Sequence, residues 1–244
     1  PDIDWVEIPA GEFLMGSDKS QDPQAYDNET PQQKFHLDTF HISRHPITVA
    51  QYAAFVNGDG YTNPGYWTEA GLEWKGDRRV PDLWNDPKWH INNHPVVGVT
   101  WYEAYAFARW LSGQLGVDVS LPNEVQWEKA ARGTDGRIYP YDGGFDPAKG
   151  NTRETGIERT SAVGIFPQGA APRGVLDMSG NVWEWCLTKW GWKYADGIEA
   201  VDNDPAGAAA RVLRGGSWFN RQNRARCACR VGDEPFNRGV SSGF

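Results

Sequence analysis

The final segment of the chain, residues 211–244, reads RVLRGGSWFNRQNRARCACRVGDEPFNRGVSSGF. Seven of its residues are arginine, although the whole 244-residue chain has a net charge of −8. Asn, Gly, Ser and Arg stand between a few apolar anchors, so the pattern predicts no long alternating strand. It predicts short strands over Arg211–Leu213 and Arg224–Arg230 with loops between them. A basic, loop-rich segment at the end of an acidic chain indicates a binding surface.

The length and composition predict one globular domain over residues 1–244, with residues 211–244 as its candidate binding region. The net charge of −8 and a pI near 5.1 argue against general nucleic-acid binding. There is no apolar run of 18 residues, so we predict no membrane-spanning segment and a soluble domain. The chain begins at Pro1 rather than Met, and we therefore expect an upstream segment. The sequence does not assign a cellular location.

Tryptophan is unusually frequent, with 13 residues beside 28 Gly and 16 Pro. This combination predicts a loop-rich fold in which large aromatic side chains anchor irregular segments. Three cysteines are too few for a disulfide scaffold.

Three helices are predicted from their end signals. Thr48 is the expected N-cap of the first helix, which ends at Asn57. Thr100 and Glu103 form a capping box at the start of the second. The third is expected over Asn123–Arg132, with Gly133 after its last turn.

Two regions of short strands are also predicted. At the N-terminus, residues 4–16 indicate a hairpin around a Pro9-Ala10-Gly11 turn, and an alternating strand over residues 34–43 is expected to pair with it. The turn at residues 174–182 is predicted to lead into a strand that carries Trp183 and Trp185. The tryptophan-rich stretch 59–93 is predicted to be an ordered insertion, because disordered segments are poor in aromatic residues.

Six separated motifs resemble the formylglycine-generating-enzyme/sulfatase-modifying-factor family. In chain order they are IPAGEFLMG (8–16), HPITVAQY (45–52), NHPVVGVTWYEA (93–104), LPNEVQWEKAARG (121–133), DMSGNVWEW (177–185) and RGGSW (214–218). The resemblance covers nearly the whole chain. It implies a C-type lectin-like fold of the formylglycine-generating-enzyme subtype, an α+β fold with few helices, short strands and much irregular loop.

The oxidase branch of this family implies a pair of reactive cysteines that bind copper in the loop after the Arg-Gly-Gly-Ser motif. Soft thiolates suit Cu(I). Here the loop Trp218–Arg226 contains no cysteine, and Gln222 stands where the nearer one would lie. We therefore expect that the protein is not an enzyme and requires no catalytic cofactor.

Two other groups of metal-binding residue types are weighed against structural roles. Cys227 and Cys229 would share one face of a strand and could hold a soft metal, but small buried cysteines are common, and we favour core positions for them and for Cys186. A second branch of the family uses a nonheme iron held mainly by histidines of a separate helical domain. His90 and His94 have the i, i+4 spacing of helical ligands, but Pro95 follows them, so a structural role is favoured. The same holds for His36, His41 and His45.

The segment 211–244 also resembles the variable region of proteins that are diversified by retroelements in prokaryotes and phages. The resemblance implies constant framework residues at Arg211–Trp218, Gln222, Ala225–Ala228, Arg230, Pro235, Arg238 and Gly243–Phe244. Between them lie fourteen variable, ligand-binding positions, here called the surface set: Phe219, Asn220, Arg221, Asn223, Arg224, Val231, Gly232, Asp233, Phe236, Asn237, Gly239, Val240, Ser241 and Ser242.

Codon chemistry is consistent with this division. Adenine-directed mutagenesis acts on AAC-type codons, and codons ending in C cannot encode Met, Trp, Lys, Gln or Glu. None of the surface set holds any of these five residue types. Glu234 departs from the pattern, and Cys229, which a Tyr codon can yield, is a fifteenth candidate. Phe219 and Phe236 are expected to be exposed anchors, and Arg221 and Arg224 to serve polar or anionic partners.

The enzyme family's structural Ca²⁺ implies a second site. The matching turn offers the carboxylates of Asp177 and Glu184 and the carbonyls of Gly180 and Val182. This is an all-oxygen set of the kind that Ca²⁺ prefers, and a plain polar turn is the equal alternative.

Three functions remain open. The preferred hypothesis is a non-catalytic, receptor-like protein whose variable surface binds an unknown protein or cell-surface ligand. The alternatives are a copper- or iron-dependent oxidase of the sulfatase-modifying family and a non-enzymatic partner-docking module.

Overall fold

The computed structural model describes all 244 residues, Pro1–Phe244. It contains four α-helices and eight short strands joined by long loops, which confirms the predicted α+β class. The helices are α1 (Val49–Asn57), α2 (Glu69–Lys75), α3 (Trp101–Leu115) and α4 (Glu124–Arg132). The strands are β1 (Trp5–Ile8), β2 (Gly11–Met15), β3 (Gln33–Leu37), β4 (Phe40–Ser43), β5 (Trp183–Lys189), β6 (Arg211–Arg214), β7 (Arg230–Asp233) and β8 (Ser242–Gly243). No helix is both long and apolar enough to cross a membrane.

The three predicted helices begin at the predicted caps. Thr48, Thr100 and Asn123 each accept a hydrogen bond from a backbone N–H in the first turn, and each is part of a reciprocal capping box. Helix α2 was not predicted, because its seven residues lie within the tryptophan-rich stretch that was interpreted as irregular. Thr68 caps it.

The predicted N-terminal hairpin is wrong. Strands β1 and β2 do not pair with each other: β1 pairs with β4, from Ile8 opposite Phe40, and β2 pairs with β3, from Gly11 opposite Leu37. Residues 5–15 therefore pair with residues 33–43 along their length, and the two segments form one bent ribbon. The bend at Pro9–Ala10 redirects the strand instead of reversing it. The expected pairing of residues 34–43 with this segment is confirmed.

The central sheet has the strand order β7-β6-β5-β8 and is antiparallel except for the β5–β8 pair. The predicted strand over Arg224–Arg230 is wrong, because β7 begins only at Arg230 and a short 3₁₀ turn covers Gln222–Arg224. All residues from Ala225 to Cys229 are buried, which an alternating strand with one solvent face does not allow.

Two glycines of the Arg-Gly-Gly-Ser motif allow the chain to turn after strand β6. Gly215 and Gly216 have φ angles of 92° and 72°. A side chain at Gly216 would place its Cβ 2.8 Å from the carbonyl oxygen of Arg224. Only glycine combines this backbone conformation with such a close approach.

The largest hydrophobic core lies between the central sheet and helices α1 and α3. It is rich in aromatic rings, including Tyr52, Phe55, Phe107 and Trp110. The ring of the last residue, Phe244, packs edge-on against Tyr52 and Phe107. The C-terminal segment is therefore held at its end as well as along β6 and β7.

A buried cluster of charges joins α4 to the C-terminal segment. Glu124 and Glu128 of α4 are completely buried and contact Arg214 and Arg230, which are 0% and 2% exposed in their side chains. Arg230 is bidentate, with its Nε and Nη2 atoms 2.7 and 2.6 Å from the two Glu124 oxygens. Arg132 pairs with Glu128 at 3.0 Å. Two carboxylates thus form buried ion pairs with three guanidinium groups.

This cluster predicts a large effect for Glu124→Gln. The substitution leaves Arg214 and Arg230 without their shared carboxylate, and loss of one partner from a buried ion pair costs about 3–5 kcal/mol. The free energy of unfolding, measured in urea, should fall by that amount. Glu12→Gln is the matched control, since Glu12 is 66% exposed and 3.6 Å from Lys34. Equal unfolding midpoints for the two variants would contradict the proposed role of the cluster.

Candidate functional site

Burial separates the framework residues of the C-terminal segment from the surface set. None of the fourteen surface-set residues is buried. Among the framework residues, only Trp218, Gln222, Arg238 and Phe244 are even partly exposed. Cys229, the fifteenth candidate, is 0% exposed and lies in the main core, so it is not part of the surface.

One group of the surface set surrounds Trp218. The Phe219 ring, 63% exposed, meets Trp218 edge-on at 5.7 Å. Trp218 Nε1 donates to the carbonyl of Val240 at 3.2 Å, and its ring packs 5.9 Å from that of Trp89. Trp218, backed by Trp89, therefore contacts two residues of the surface set.

A second group lies beside Tyr26 and the loop 151–161. The Asn223 amide donates to the Tyr26 hydroxyl at 2.7 Å, and the Arg224 guanidinium lies 4.7 Å above the Tyr26 ring. The Arg153 N–H donates to the carbonyl of Asn220 at 2.8 Å. Residues from the N-terminal and middle parts of the chain thus border the variable positions.

A third group follows strand β7. Asn237 donates to Asp233 Oδ1 at 2.6 Å, and Phe236 is 47% exposed. Gly232 lies against the Trp190 indole, where an added Cβ would come within 2.3 Å of the ring. At Gly239 the nearest atom is 3.7 Å from an added Cβ. Position 239 therefore has room for side chains, whereas any side chain at position 232 requires Trp190 to move.

Sequence reasoning did not predict these neighbours of the surface set. Tyr26 and Arg153 belong to polar loops with no motif of their own, and only contacts across the fold identify them. Trp89 lies in the tryptophan-rich insertion, which was expected to anchor loops. It does so at the edge of the surface set.

The framework arginines bind partners in other parts of the chain, and all except Arg238 are buried. Arg226 contacts Asp22 at 2.6 Å and both oxygens of Glu29 at 2.6 and 2.7 Å. Arg238 pairs with Asp82 at 2.5 Å. Arg211 donates to main-chain carbonyls and stacks on the Trp101 ring at 3.9 Å.

The cysteines are core residues, as favoured for all three. Cys227 and Cys229 lie in a turn and not on a strand, and their side chains enter two different hydrophobic clusters. The prediction that they share one face is therefore wrong. Burial raises the pKa of Cys227 to about 12 and that of Cys229 to about 11. Burial in apolar surroundings penalises the charged thiolate, which fits the structural role that was favoured for both residues.

The histidines are dispersed. His94 Nδ1 is 3.0 Å from the Thr160 hydroxyl, and the His90 ring meets Trp84 edge-on at 4.4 Å. His41 lies 3.7 Å from Glu7, and His45 Nδ1 contacts the carbonyl of Pro46. No three His, Cys, Asp or Glu side chains are grouped as metal ligands.

The oxygens expected to bind Ca²⁺ lie in the turn 177–182 and at the start of β5. Glu184 Oε1 is buried without a hydrogen-bond partner, while Oε2 accepts a hydrogen bond from Trp127 Nε1 at 2.7 Å. Burial raises the pKa of Glu184 to about 8, and the nearby Asp177 carboxylate adds to this shift. Burial also raises the pKa of Asp177. The carbonyls of Gly180 and Val182 accept no main-chain hydrogen bond. Oxygens without donors beside two buried acids suit a hard cation.

A family model described as the sulfatase-modifying factor enzyme 1-like domain matches residues 3–244. The chain therefore belongs to this family, which confirms the resemblance based on the six motifs. Among solved structures, PvdO from Pseudomonas aeruginosa superposes with a TM-score of 0.77 at 25% identity, over 98% of this chain and 92% of that one. Treponema denticola variable protein 1 superposes with a TM-score of 0.70 at 21% identity, with the same coverage, which is a likeness of fold.

The curated relatives include enzymes. Hercynine oxygenase of Mycolicibacterium smegmatis is 30% identical over 98% of this chain and 59% of the relative. The formylglycine-generating enzyme of Streptomyces coelicolor is 32% identical over 98% of this chain and 87% of the relative. The chain spans 55–59% of the length of the hercynine oxygenases that it matches.

These relatives contradict the expectation that the protein is not an enzyme. That expectation relied on the absence of one cysteine pair from the loop Trp218–Arg226. The domain is shared by two differently named kinds of enzyme, so the loss of one branch's residues does not exclude enzymatic activity in the family.

Proposed function

We propose that the C-terminal surface binds a ligand and that the surface set is diversified by a retroelement. One observation carries the proposal. The fourteen positions that the template-like pattern selects are all at least partly exposed, and the intervening framework is largely buried. The positions were selected from the framework pattern in the sequence, without reference to burial.

The energetics support diversification at these positions. Substitutions at exposed sites that lack buried contacts usually change stability by less than about 0.5 kcal/mol. The framework arginines hold the backbone through their inward pairs, so changes in the surface set leave those pairs intact. Phe219 and Phe236 supply exposed aromatic area, and Asn and Ser supply adaptable hydrogen bonds, as in antibody loops.

Sequencing the gene's neighbourhood tests this proposal. We expect a near-copy of the 3′ end beside a reverse-transcriptase gene, with mismatches confined to adenines in the copy. The mismatches should fall in surface-set codons and spare those of Arg226 and Arg230. Mismatches spread evenly over framework and surface codons, or no such copy, would reject diversification.

A second candidate function is a copper- or iron-dependent oxidation of a substrate bound at the same surface. The relatives named hercynine oxygenase and formylglycine-generating enzyme favour it, since they match 98% of the chain at 30–32% identity. In this case the ligand of the surface would be the substrate.

Metal analysis and oxygen consumption test the oxidase candidate. The purified chain should contain stoichiometric copper or iron and consume oxygen with a cysteine-bearing peptide or with hercynine. Folded protein that binds neither metal when each is supplied, and consumes no oxygen, would remove this candidate. The binding proposal does not depend on the result.

We also propose a structural Ca²⁺ held by Asp177, Glu184 and the carbonyls of Gly180 and Val182. Support comes from the unpartnered Glu184 Oε1 and from the two buried acids, for which no basic side chain forms an ion pair. A divalent cation would neutralise both carboxylates and fix the turn that precedes β5.

Thermal unfolding with and without Ca²⁺ tests the cation site. A ligand at one hundred times its dissociation constant stabilises the folded state by about 2.7 kcal/mol. Ca²⁺ should therefore raise the Tm of the native chain and of Glu199→Gln, a control at an exposed acid. Glu184→Gln should be at least as stable as the native chain in EDTA and should not respond to Ca²⁺. A full response in Glu184→Gln would exclude this site.

A further inference from the structure

The arginines of the C-terminal segment divide into two kinds. Arg214, Arg226, Arg230 and Arg238 each pair with a carboxylate, and Arg211 donates to main-chain carbonyls through Nη1. The two arginines of the surface set differ. Arg221 and Arg224 make no salt bridge, and neither side chain donates a hydrogen bond within the protein. Their charges are available to a partner.

The neighbouring loop 151–161 carries two more arginines without ion pairs. Arg153 and Arg159 are exposed and have no ion pair. The loop 151–161 is fixed next to the surface set by the bond from Arg153 N to Asn220 O at 2.8 Å. It is also tied in through Asn181, which donates to Asn151 O at 2.7 Å and accepts from Trp218 N at 3.0 Å. The guanidinium groups thus come from both variable and constant parts of the chain.

The acids in this region do not cancel the charge. Asp22 and Glu29 are fully engaged by Arg226. Glu154 is exposed and accepts a hydrogen bond from Gln222 N at 3.1 Å, and Glu158 is exposed on the same loop. The four arginines without ion pairs therefore outnumber the two exposed glutamates of the loop 151–161, in a chain whose net charge is −8. Unpaired basic residues concentrated on an acidic protein indicate selection for an anionic partner.

We propose that this part of the C-terminal surface binds an acidic protein segment, with glutamate or aspartate side chains on the arginines and an apolar side chain on Phe219. The inference rests on the ligand-binding half of the proposed function and not on diversification. A guanidinium matches a carboxylate in a bidentate pair, and an exposed aromatic ring beside such a pair is a typical anchor of protein interfaces. A nucleic acid is disfavoured, because its dense phosphate charge is repelled by the rest of the chain.

Peptide binding measured by fluorescence anisotropy tests the proposal. The probes are a labelled glutamate-rich peptide with one central phenylalanine and its glutamine-rich counterpart. Heparin and duplex DNA serve as other anions. The protein variants are Arg221→Ser/Arg224→Ser and a control that loses two exposed arginines elsewhere, Arg79→Ser/Arg173→Ser. Circular dichroism and Tm check that each variant is folded.

We expect the glutamate peptide to bind the native chain and the control equally, and more weakly as salt is raised. The Arg221→Ser/Arg224→Ser variant should bind it about tenfold less tightly, as expected for losing charge-assisted hydrogen bonds. Equal binding of the glutamine peptide, or tighter binding of heparin or DNA at physiological salt, would overturn the acidic-segment proposal.

A further variant separates this failure from failure of the binding surface. If Phe219→Ser weakens binding of the glutamine peptide and the arginine variant does not, the surface binds ligands but does not select acidic segments. If no probe binds, or if Phe219→Ser and the arginine variant bind every probe as well as the native chain, the acidic-segment proposal fails. Diversification is then judged by the genomic comparison alone.

Discussion

The inward pairing of the framework arginines holds the C-terminal segment to the rest of the chain. Arg214 and Arg230 reach the two buried glutamates of α4, and Arg226 reaches Asp22 and Glu29 near the N-terminus. Each of these guanidinium groups would carry a large desolvation penalty without its carboxylates. The segment therefore has one low-energy path across the protein, although most of its residues are neither helix nor strand.

Because the backbone is fixed in this way, an irregular segment can present side chains that contribute little to the core. The buried pairs, the two glycines at 215 and 216, and the Phe244 ring fix the backbone at separated points. Between these points the side chains lie at the surface, and their identity contributes little to the folded state. Gly232 is the exception among the surface set, since Trp190 occupies the space that a side chain would need. Tolerance is therefore a property of each position and is not uniform along the segment.

Local signals in the sequence predicted what local chemistry determines. Capping boxes involve only nearby residues, and those at Thr48, Thr100 and Asn123 predict helix starts. All three helices form. The N-terminal hairpin and the strand at Arg224–Arg230 were wrong because their outcome depends on distant partners. Strand β1 finds β4, and Arg226 turns toward Glu29, 197 positions away in the chain. The surface set could be proposed from the framework pattern of the sequence, but its neighbours Tyr26 and Arg153 required the three-dimensional contacts. The expectation about enzymatic activity failed for a different reason, since one missing cysteine pair was taken to represent a family with more than one chemistry.

The binding and oxidase candidates place similar physical requirements on the fold. Both need a rigid scaffold under a surface whose side chains recognise a partner, and fold alone does not decide between them. The side chains of the loop 219–224 are not buried in the core, because Arg226 and the Gly215–Gly216 turn make the buried contacts on either side of it. A loop released in this way can acquire reactive side chains or a changing recognition surface without disturbing the buried charges. The same buried arginines and glutamates are therefore compatible with an enzyme and with a binding protein, and the distinction lies in the few exposed residues between them.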